Sequence, residues 1–500
     1  IYIDKTELLK FLNKKLGTNG KCIAVSHARR FGKSHAAGMI DAYYSLGSDS
    51  SKLFENTKIA SDPDYEKYRN KYNVIHLDIS SVWDYHKEDL IESIEERVCE
   101  DFQKIYGDLL NYRRDFYLLI QDIYSLTGIP FVIIIDEWDC VIRNSHDQAL
   151  VHKYLQFLHS LFKSEESKSF LALGYITGIL PIKKIKDESA LNNFQEYTML
   201  DSYPITEYYG FTEKEVKDLC KDYSMDFETV KAWYNGYLID GEHMYNPNSV
   251  SQALERHKID SYWRNTSAFD TINTFITMNY AGLKDDVMKM LTGGKVRINT
   301  NTFQNDFSII TSKDDALTAL IHLGYLGYDA DRKKSFIPNY EVATAFELAL
   351  QTGSWKEIAE SISKCDELLD ETIDGNAERV AELIELAHET YTSILKYNDE
   401  NVLSCVLTMA YFTAPAYYNV IREMPSGKGF ADFVFLPRAN AGNRPAMIIE
   451  LKYNQSAETA LKQIKEKRYQ GALSGYQGKI LLVGINYDSE KHHTCMIEEL

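Results

Sequence analysis

Residues 21–44 read KCIAVSHARRFGKSHAAGMIDAYY, an apolar strand from Cys22 to Val25 that runs through a turn into a helix opening near Lys33. The turn ends in Phe31-Gly32-Lys33-Ser34, the second half of a phosphate-binding loop. In such a loop backbone N–H groups and the helix N-terminus cradle phosphates, the lysine reaches the β- and γ-phosphates, and the hydroxyl holds Mg2+. Glycine usually stands where this chain has His27, and Arg29 and Arg30 replace small residues.

Gly-Lys-Ser alone says little, and the partner motif gives it weight. Residues 128–140 read GIPFVIIIDEWDC, with an uninterrupted apolar run from Phe131 to Ile135 that ends in Asp136-Glu137. Such a run reads as a strand covered on both faces. The expectation is that it lies beside the phosphate loop, with Asp136 in a Mg2+ shell and Glu137 polarising the attacking water. NVIHLDIS at 73–80 and FLALGYITG at 170–178 read as further strands of this sheet. Thr177, near the carboxyl end of the second, is a candidate γ-phosphate sensor or a packing residue.

A second cluster lies far along the chain. Residues 426–452, SGKGFADFVFLPRANAGNRPAMIIELK, place Asp432 before a turn-rich gap and an apolar run that ends in Glu450-Leu451-Lys452. Two carboxylates suit a hard divalent cation beside a phosphate. Strand alternation puts Glu450 and Lys452 on one face, where the lysine can orient water or offset charge. Before the cluster come a helical stretch from Glu400 to Phe412 and the strand-like YYNVIREM. After it come SAETALKQIKEKRYQGAL, with Ala457, Leu461, Ile464 and Leu473 as apolar-face positions, and the strand-like KILLVGIN. Gln463 and Lys467, four apart on that helix, share a face directed at the cluster or at a nucleic-acid backbone.

A chain of 500 residues, 44% apolar, holds two or more cores. A formal charge of −18 argues against a protein that coats nucleic acid indiscriminately, so phosphate binding needs a local basic patch. Lys183, Lys184 and Lys186 form one such patch, and Lys462, Lys465, Lys467 and Arg468 another; a solvated face is the plainer reading of both. The seven cysteines include no CxxC pair, which indicates neither a disulfide framework nor a cysteine-rich zinc site and fits a reducing cytoplasm. His492, His493 and Cys495 read as a surface segment without a fourth metal partner. No run suits a membrane-spanning helix, and no signal pattern opens the chain.

YIDKTELL, HARRFGKS, VIIIDEWD, TGILPIKKI with LNNF, YYGFTEKEV, WYNGYLI with YNPNSV, YWRNTS, and LGYLGYD with FIPNYEV follow one another before the C-terminal cluster. In this order they resemble the bacterial AAA-ATPase-like proteins fused to a PD-(D/E)XK nuclease-superfamily domain. The resemblance implies an α/β fold: a P-loop NTPase domain at residues 1–205, a helical lid at 206–269, a mostly helical middle region at 270–395 and a PD-(D/E)XK-like restriction-endonuclease fold at 396–500. It implies ATP and Mg2+ (or Mn2+) as cofactors. Arg29, Arg30, Gly32, Lys33, Ser34, Asp136 and Thr177 then sit at the nucleotide, with Glu137 as water activator. Asp432, Glu450 and Lys452 are the nuclease-like set, Glu400 is a further acidic ligand, and Gln463 and Lys467 support it. The partners implied are ATP and DNA or RNA, with no membrane; an oligomer is compatible with the sequence.

Within the lid segment, Thr212 and Glu215 have capping-box spacing, and Trp233, Tyr234 and Tyr237 read as core aromatics before ligand contacts. Farther on, Asp329 to Lys334 marks a hairpin turn, and Gly375 divides the acidic stretch at 363–397 into two helices.

Overall fold

The computed structural model describes residues 1–107, 116–145, 147–182, 191–263, 272–275, 277–278, 280–291, 293–303, 310–352, 364–395, 406–408, 410–411, 413–426, 429–438, 441–467, 473, 476, 478–489 and 492–500. Glu400, Lys183, Lys184, Lys186 and Arg468 lie outside the described residues. Two compact units emerge: residues 1–219, 235–252 and 297–335 form the first, and 220–234, 253–296 and 336–500 the second.

A five-stranded parallel sheet organises the first unit, built from β1 (Cys22–Ser26), β2 (Asn73–Asp78), β3 (Phe131–Asp136), β4 (Leu171–Gly178) and β5 (Gln195–Thr198) in the order β2-β3-β4-β1-β5. Every residue of β1, β3 and β4 is buried, as expected of central parallel strands. Along β3 the side chains alternate between two cores. Ile133 and Ile135 join the core that includes Trp83, Ile94 and Phe157, while Val132 and Ile134 join the one with Ile40, Tyr43 and Tyr175. Helices therefore cover both faces of the sheet in a three-layer arrangement.

Local chemistry moved some expected boundaries. The run at 73–80 stops being a strand at Asp78, whose carboxylate accepts from Ser80 N and Ser81 N and caps a helix beginning at Ile79. In the sheet β4 stands between β1 and β3. The segment read as short helices also contains strands: β6 (Phe211–Thr212), β7 (Tyr237–Ile239) and β8 (Glu242–Tyr245) pair in the order β6-β8-β7. Asp240 and Gly241, both at positive φ (51° and 83°), make the two-residue turn between β7 and β8, so the Asp-Gly pair was the hairpin signal. Thr212 and Glu215 form a reciprocal capping box, Thr212 N to Glu215 Oε2 at 2.8 Å and Glu215 N to Thr212 Oγ1 at 3.3 Å. Tyr237 is a buried core residue whose hydroxyl donates to Gly324 O at 2.9 Å. Strands β9 (Val296–Arg297), β10 (Gly327–Asp329) and β11 (Lys334–Phe336) form another small sheet, with the polar turn at 329–334 joining β10 to β11.

In the second unit, Tyr234 donates its hydroxyl to Asp260 O at 2.8 Å and is buried. Helix Cys365–Asp374 ends at Gly375, left-handed at φ 81°, and helix Ala377–Leu395 follows. Farther on lies a five-stranded sheet of β12 (Tyr418–Ser426), β13 (Gly429–Pro437), β14 (Ala446–Tyr453), β15 (Ile480–Tyr487) and β16 (His493–Glu499), ordered as numbered. Only β14 and β15 pair in parallel, which demands a crossover, and helix Ala457–Glu466 provides it. Its apolar face, Leu461 and Ile464, packs on Ala446, Ile448 and Leu482. The helix ends at Glu466, short of the expected Leu473, although Leu473 is buried in the same cluster. The C-terminal histidine segment is strand β16, with His493 buried instead of on the surface.

Candidate functional sites

Strand β1 delivers the phosphate loop to helix Lys33–Tyr44. Arg30 (φ 68°) and Gly32 (φ 88°) are both left-handed, the kind of backbone conformation from which concave anion-binding nests are built. A Cβ on Gly32 would meet open space, so glycine serves the backbone conformation there. The loop is braced from behind: Gly210 N donates to Phe31 O at 3.0 Å, Asn246 Nδ2 donates to Arg29 O at 3.4 Å, and the Phe31 ring meets Tyr237 edge-on at 5.1 Å. Gly210 and Asn246 were not singled out in the sequence. A lone glycine between Tyr209 and Phe211 and the Asn246-Pro247 pair were the available signals.

The histidine at the usual glycine position is turned into the protein. His27 is fully buried, hydrogen-bonds Ser202 Oγ through Nε2 at 2.9 Å, and packs on Tyr209 with ring centroids 5.2 Å apart. Burial, and then the charge of Lys33, push its pKa down to about 3. It is a neutral packing element of the loop.

Lys33 is buried, and its Nζ donates to Ala28 O at 3.0 Å. Burial lowers its pKa, while Glu137, Asp139 and Asp136 pull it back up. The ammonium thus lies in the field of the carboxylates at the end of β3. Asp136 is buried and accepts from Thr177 Oγ1 on neighbouring β4, so Thr177 fixes the orientation of that carboxylate. Glu137 follows in a left-handed conformation (φ 54°), its N–H on Asp136 Oδ1 at 3.0 Å. A non-glycine residue held there stores strain of about 1–2 kcal/mol, a signature of functional sites. Burial raises the Glu137 pKa, as does Asp139, against Lys33 and Arg143.

Arg143 and Asp139 escaped the sequence reading. Arg143 Nη2 reaches Glu137 Oε2 at 2.5 Å and its Nε reaches Asp139 Oδ2 at 2.9 Å. Asp139 is fully buried, and Oδ2 also accepts from Ile179 N and Leu180 N just past β4. The Asp139–Arg143 spacing of four on a helix was the readable hint. A cleft of about 730 Å³ gathers Arg29, Ser34, Asp136, Glu137 and Arg143, together with Asp78 and Lys87.

The second site forms at the carboxyl end of β14. The β13–β14 ladder runs to the pair Phe433–Ile449, and Asp432 lies just beyond, its Oδ2 accepting from Leu451 N at 2.7 Å. Glu450 is 2% exposed. Its Oε1 accepts from Lys452 Nζ at 3.1 Å and from Gln463 Nε2 on the crossover helix. Its other oxygen, Oε2, is buried and has no hydrogen-bond partner among the described residues. Burial raises the Glu450 pKa and the adjacent Asp432 raises it further; Lys452 and Lys467 act against both. The structure therefore brings Asp432, Glu450, Lys452, Gln463 and Lys467 to one place.

Two carboxylates that repel one another, with one oxygen left bare in the interior, fit a divalent cation. Among the described residues no group of three or more His, Cys, Asp or Glu side chains gathers at ligating range, so water and substrate oxygens would complete the shell. Gly484 also contributes unseen. It pairs with Glu450 in register, and a Cβ there would stand 2.3 Å from Ala457 O, so its bareness admits the helix N-terminus beside the site.

The first unit thus has the sheet and phosphate loop of a P-loop ATPase-like protein, and the C-terminal sheet carries a nuclease-like carboxylate–lysine constellation. Residues 1–186 match the family model described as predicted AAA-ATPase, and residues 398–497 match that of the PD-(D/E)XK nuclease superfamily. The chain joins a predicted AAA-ATPase segment to a PD-(D/E)XK nuclease-superfamily segment. A curated relative, the "Uncharacterized protein in vnfD 5'region" of Azotobacter chroococcum mcd 1, is 24% identical over 274 residues, 53% of this chain and 50% of that protein. The chain thus spans about half the length of the relative it matches. Similar solved structures include the Aeropyrum pernix ORC2 protein in ADPNP-ADP complexes (10% identity, TM-score 0.28, 70% of this chain and 94% of that one). The Aeropyrum pernix ORC1 protein in complex with DNA gives 12% identity and a TM-score of 0.27 over 70% of this chain and 93% of that one. Among the described residues no helix is long and apolar enough to cross a membrane.

Proposed function

We propose that this protein is an ATP-binding, ATP-hydrolysing module that governs a Mg2+-dependent nuclease acting on DNA or RNA. The observation that carries the nuclease half is the bare, buried Glu450 Oε2 beside Asp432, with Lys452 on the same face. A divalent cation held by these carboxylates supplies Lewis-acid activation of water and charge neutralisation at the phosphate. Lys452, 14% exposed at its side chain, offsets charge on the phosphate oxygens, and Gln463 keeps the Glu450 carboxylate in place.

In the first unit, Lys33 and the loop amides bind the phosphates, Ser34 and Asp136 hold Mg2+, and Glu137 accepts the proton of the attacking water. Arg29 lines the cleft as a further anion contact. A cytoplasmic location fits the free cysteines. The test is incubation with single-stranded and duplex DNA and RNA, with and without Mg2+ and ATP, comparing wild type with Lys452→Ala. Cleavage that needs Mg2+ and vanishes in the variant supports the reading; cleavage unchanged in Lys452→Ala and Asp432→Ala overturns the site.

One observation favours a second reading, a nucleotide-dependent switch or scaffold that binds nucleic acid or protein without cutting: the chain carries a formal charge of −18 and has His27 where a phosphate loop usually has glycine. Binding without cleavage in every metal arm selects it.

A further inference from the structure

Tyr453 follows Lys452 at the carboxyl end of β14. Alternation sends the lysine to the face of helix Ala457–Glu466, beside Glu450, and the tyrosine to the opposite face at the rim of the sheet. Tyr453 is 51% exposed, and its ring is held in place. It lies against Tyr487, its register partner on β15, with centroids 5.5 Å apart and an interplanar angle of 37°. Tyr487 in turn stacks on His493 of β16 at 5.0 Å and 26°, and His388 of helix Ala377–Leu395 meets Tyr487 at 4.3 Å. His388 Nδ1 and His493 Nε2 are 2.9 Å apart, and both residues are buried. Tyr453 is therefore the outer member of a column of rings anchored in the interior of its unit.

The rim backbone is fixed as well. Asn454 N donates to Tyr487 O at 2.8 Å, Gln455 N to Asn486 Oδ1 at 2.9 Å, and Ser489 N to Asn454 Oδ1 at 2.8 Å. A rigid aromatic face in water loses little entropy when a flat partner covers it. Both residues stand at the carboxyl end of β14, which closes at Tyr453, so a strand whose phosphate sits by Lys452 meets this ring where it crosses the rim to the opposite face.

We propose that Tyr453 is a stacking platform for an unpaired nucleobase of the strand whose phosphate lies at Asp432, Glu450 and Lys452. The inference rests on the phosphodiesterase reading of that site and names its substrate class: a single strand, or a strand splayed at a junction or end. Within a duplex each base is covered by its neighbours, whereas an unpaired base offers a free face of any sequence. Charge supplies the second reason. A chain of formal charge −18 repels polyanions at long range, so contact energy that does not depend on phosphate charge is what favours a bound strand.

The test uses the full chain in EDTA, where binding is separated from cleavage. Fluorescein-labelled single-stranded DNA, RNA of the same sequence and the blunt duplex are titrated by anisotropy against wild type, Tyr453→Ala and Tyr453→Phe, with thermal melts to show that each variant is folded. The expected result is preference for the single strands, a loss of roughly tenfold or more in Tyr453→Ala that is the same at low and high salt, and retention in Tyr453→Phe. A 2-aminopurine probe in the single strand is quenched by wild type and Tyr453→Phe but not by Tyr453→Ala. The DNA and RNA arms identify which sugar is accepted. Wild-type binding by Tyr453→Ala, or equal affinity for blunt duplex, overturns the platform. If cleavage still depends on Lys452, the phosphodiesterase reading survives that failure; if no strand is bound or cut, both fall.

Discussion

Arg143 holds Glu137 at 2.5 Å with one guanidinium nitrogen and Asp139 at 2.9 Å with another, tying the proposed water activator to a carboxylate anchored on the backbone just past β4. The pair is mostly shielded from water, with side-chain exposures of 10% for Arg143 and 24% for Glu137. Removing the cation leaves two carboxylates facing each other beside Asp136. Arg143→Ala should cost about 3 kcal/mol, read as a lower urea midpoint. Arg143→Lys should recover part of it, because an ammonium cannot span both carboxylates. In the double variant with Glu137→Gln the losses should fall short of additive, and strict additivity would show that the contact carries no energy.

Lys33 is a buried ammonium whose hydrogen bond goes to a loop carbonyl, Ala28 O, until phosphate oxygens are supplied. Its depressed pKa records the burial cost. Lys33→Ala should therefore fold at least as stably as wild type without nucleotide, and bind a fluorescent ATP analogue about 10- to 100-fold more weakly. Equal affinity in the two proteins would remove the phosphate role from the loop.

Glu450 makes stability depend on both pH and metal. Its folded pKa is raised above the ordinary 4.5, so the folded state holds the proton more tightly than the unfolded chain. Between that ordinary value and the raised one, stability falls as pH rises, and the loss persists above the window. Mg2+ binds the anion and should restore stability there, by about 2.7 kcal/mol at a concentration roughly a hundred times its Kd. Without metal above the window, Glu450→Gln should be more stable than wild type, and it should not respond to Mg2+. Thermal melts across pH with and without Mg2+ measure both effects; a Mg2+ response that survives in Glu450→Gln places the cation elsewhere.

The legible parts of this chain were those written in local runs. Phe131 to Ile135 and Leu171 to Gly178 announced buried parallel strands because both faces are apolar, and Glu450 and Lys452 were one face of a strand by spacing alone. The capping box at Thr212 and the helix break at Gly375 were equally local. Strand order was not legible, because the placement of β4 between β1 and β3 depends on pairing between segments far apart in sequence. His27 looked like a defect in a motif, and only its burial against Tyr209 and Ser202 shows how the loop accommodates it. Arg143 had no motif, since its partners define its place: Glu137 six residues earlier and an Asp139 that is fixed by Ile179 and Leu180.

Gly484 offers a way to disturb the carboxylate site without touching a carboxylate. It lies beside Glu450 in the parallel register, and a Cβ there would stand 2.3 Å from Ala457 O and 3.1 Å from Ala460 Cβ. Neither neighbour can step aside alone: Ala457 opens the crossover helix, and Ala460 is a buried residue of the same helix. Gly484→Ala must therefore shift the whole helix, and overpacking of this kind costs about 1–3 kcal/mol. The shift carries Gln463 away from Glu450 Oε1. The variant should melt earlier, and even when folded at low temperature it should show a weaker Mg2+ stabilisation than wild type. Gly478→Ala is the internal comparison, because a Cβ there would clash with the Tyr476 side chain, its hydroxyl and two ring carbons, and not with the crossover helix. If the two variants lose Mg2+ stabilisation equally, the close approach of the helix N-terminus at Gly484 has no part in shaping the metal site.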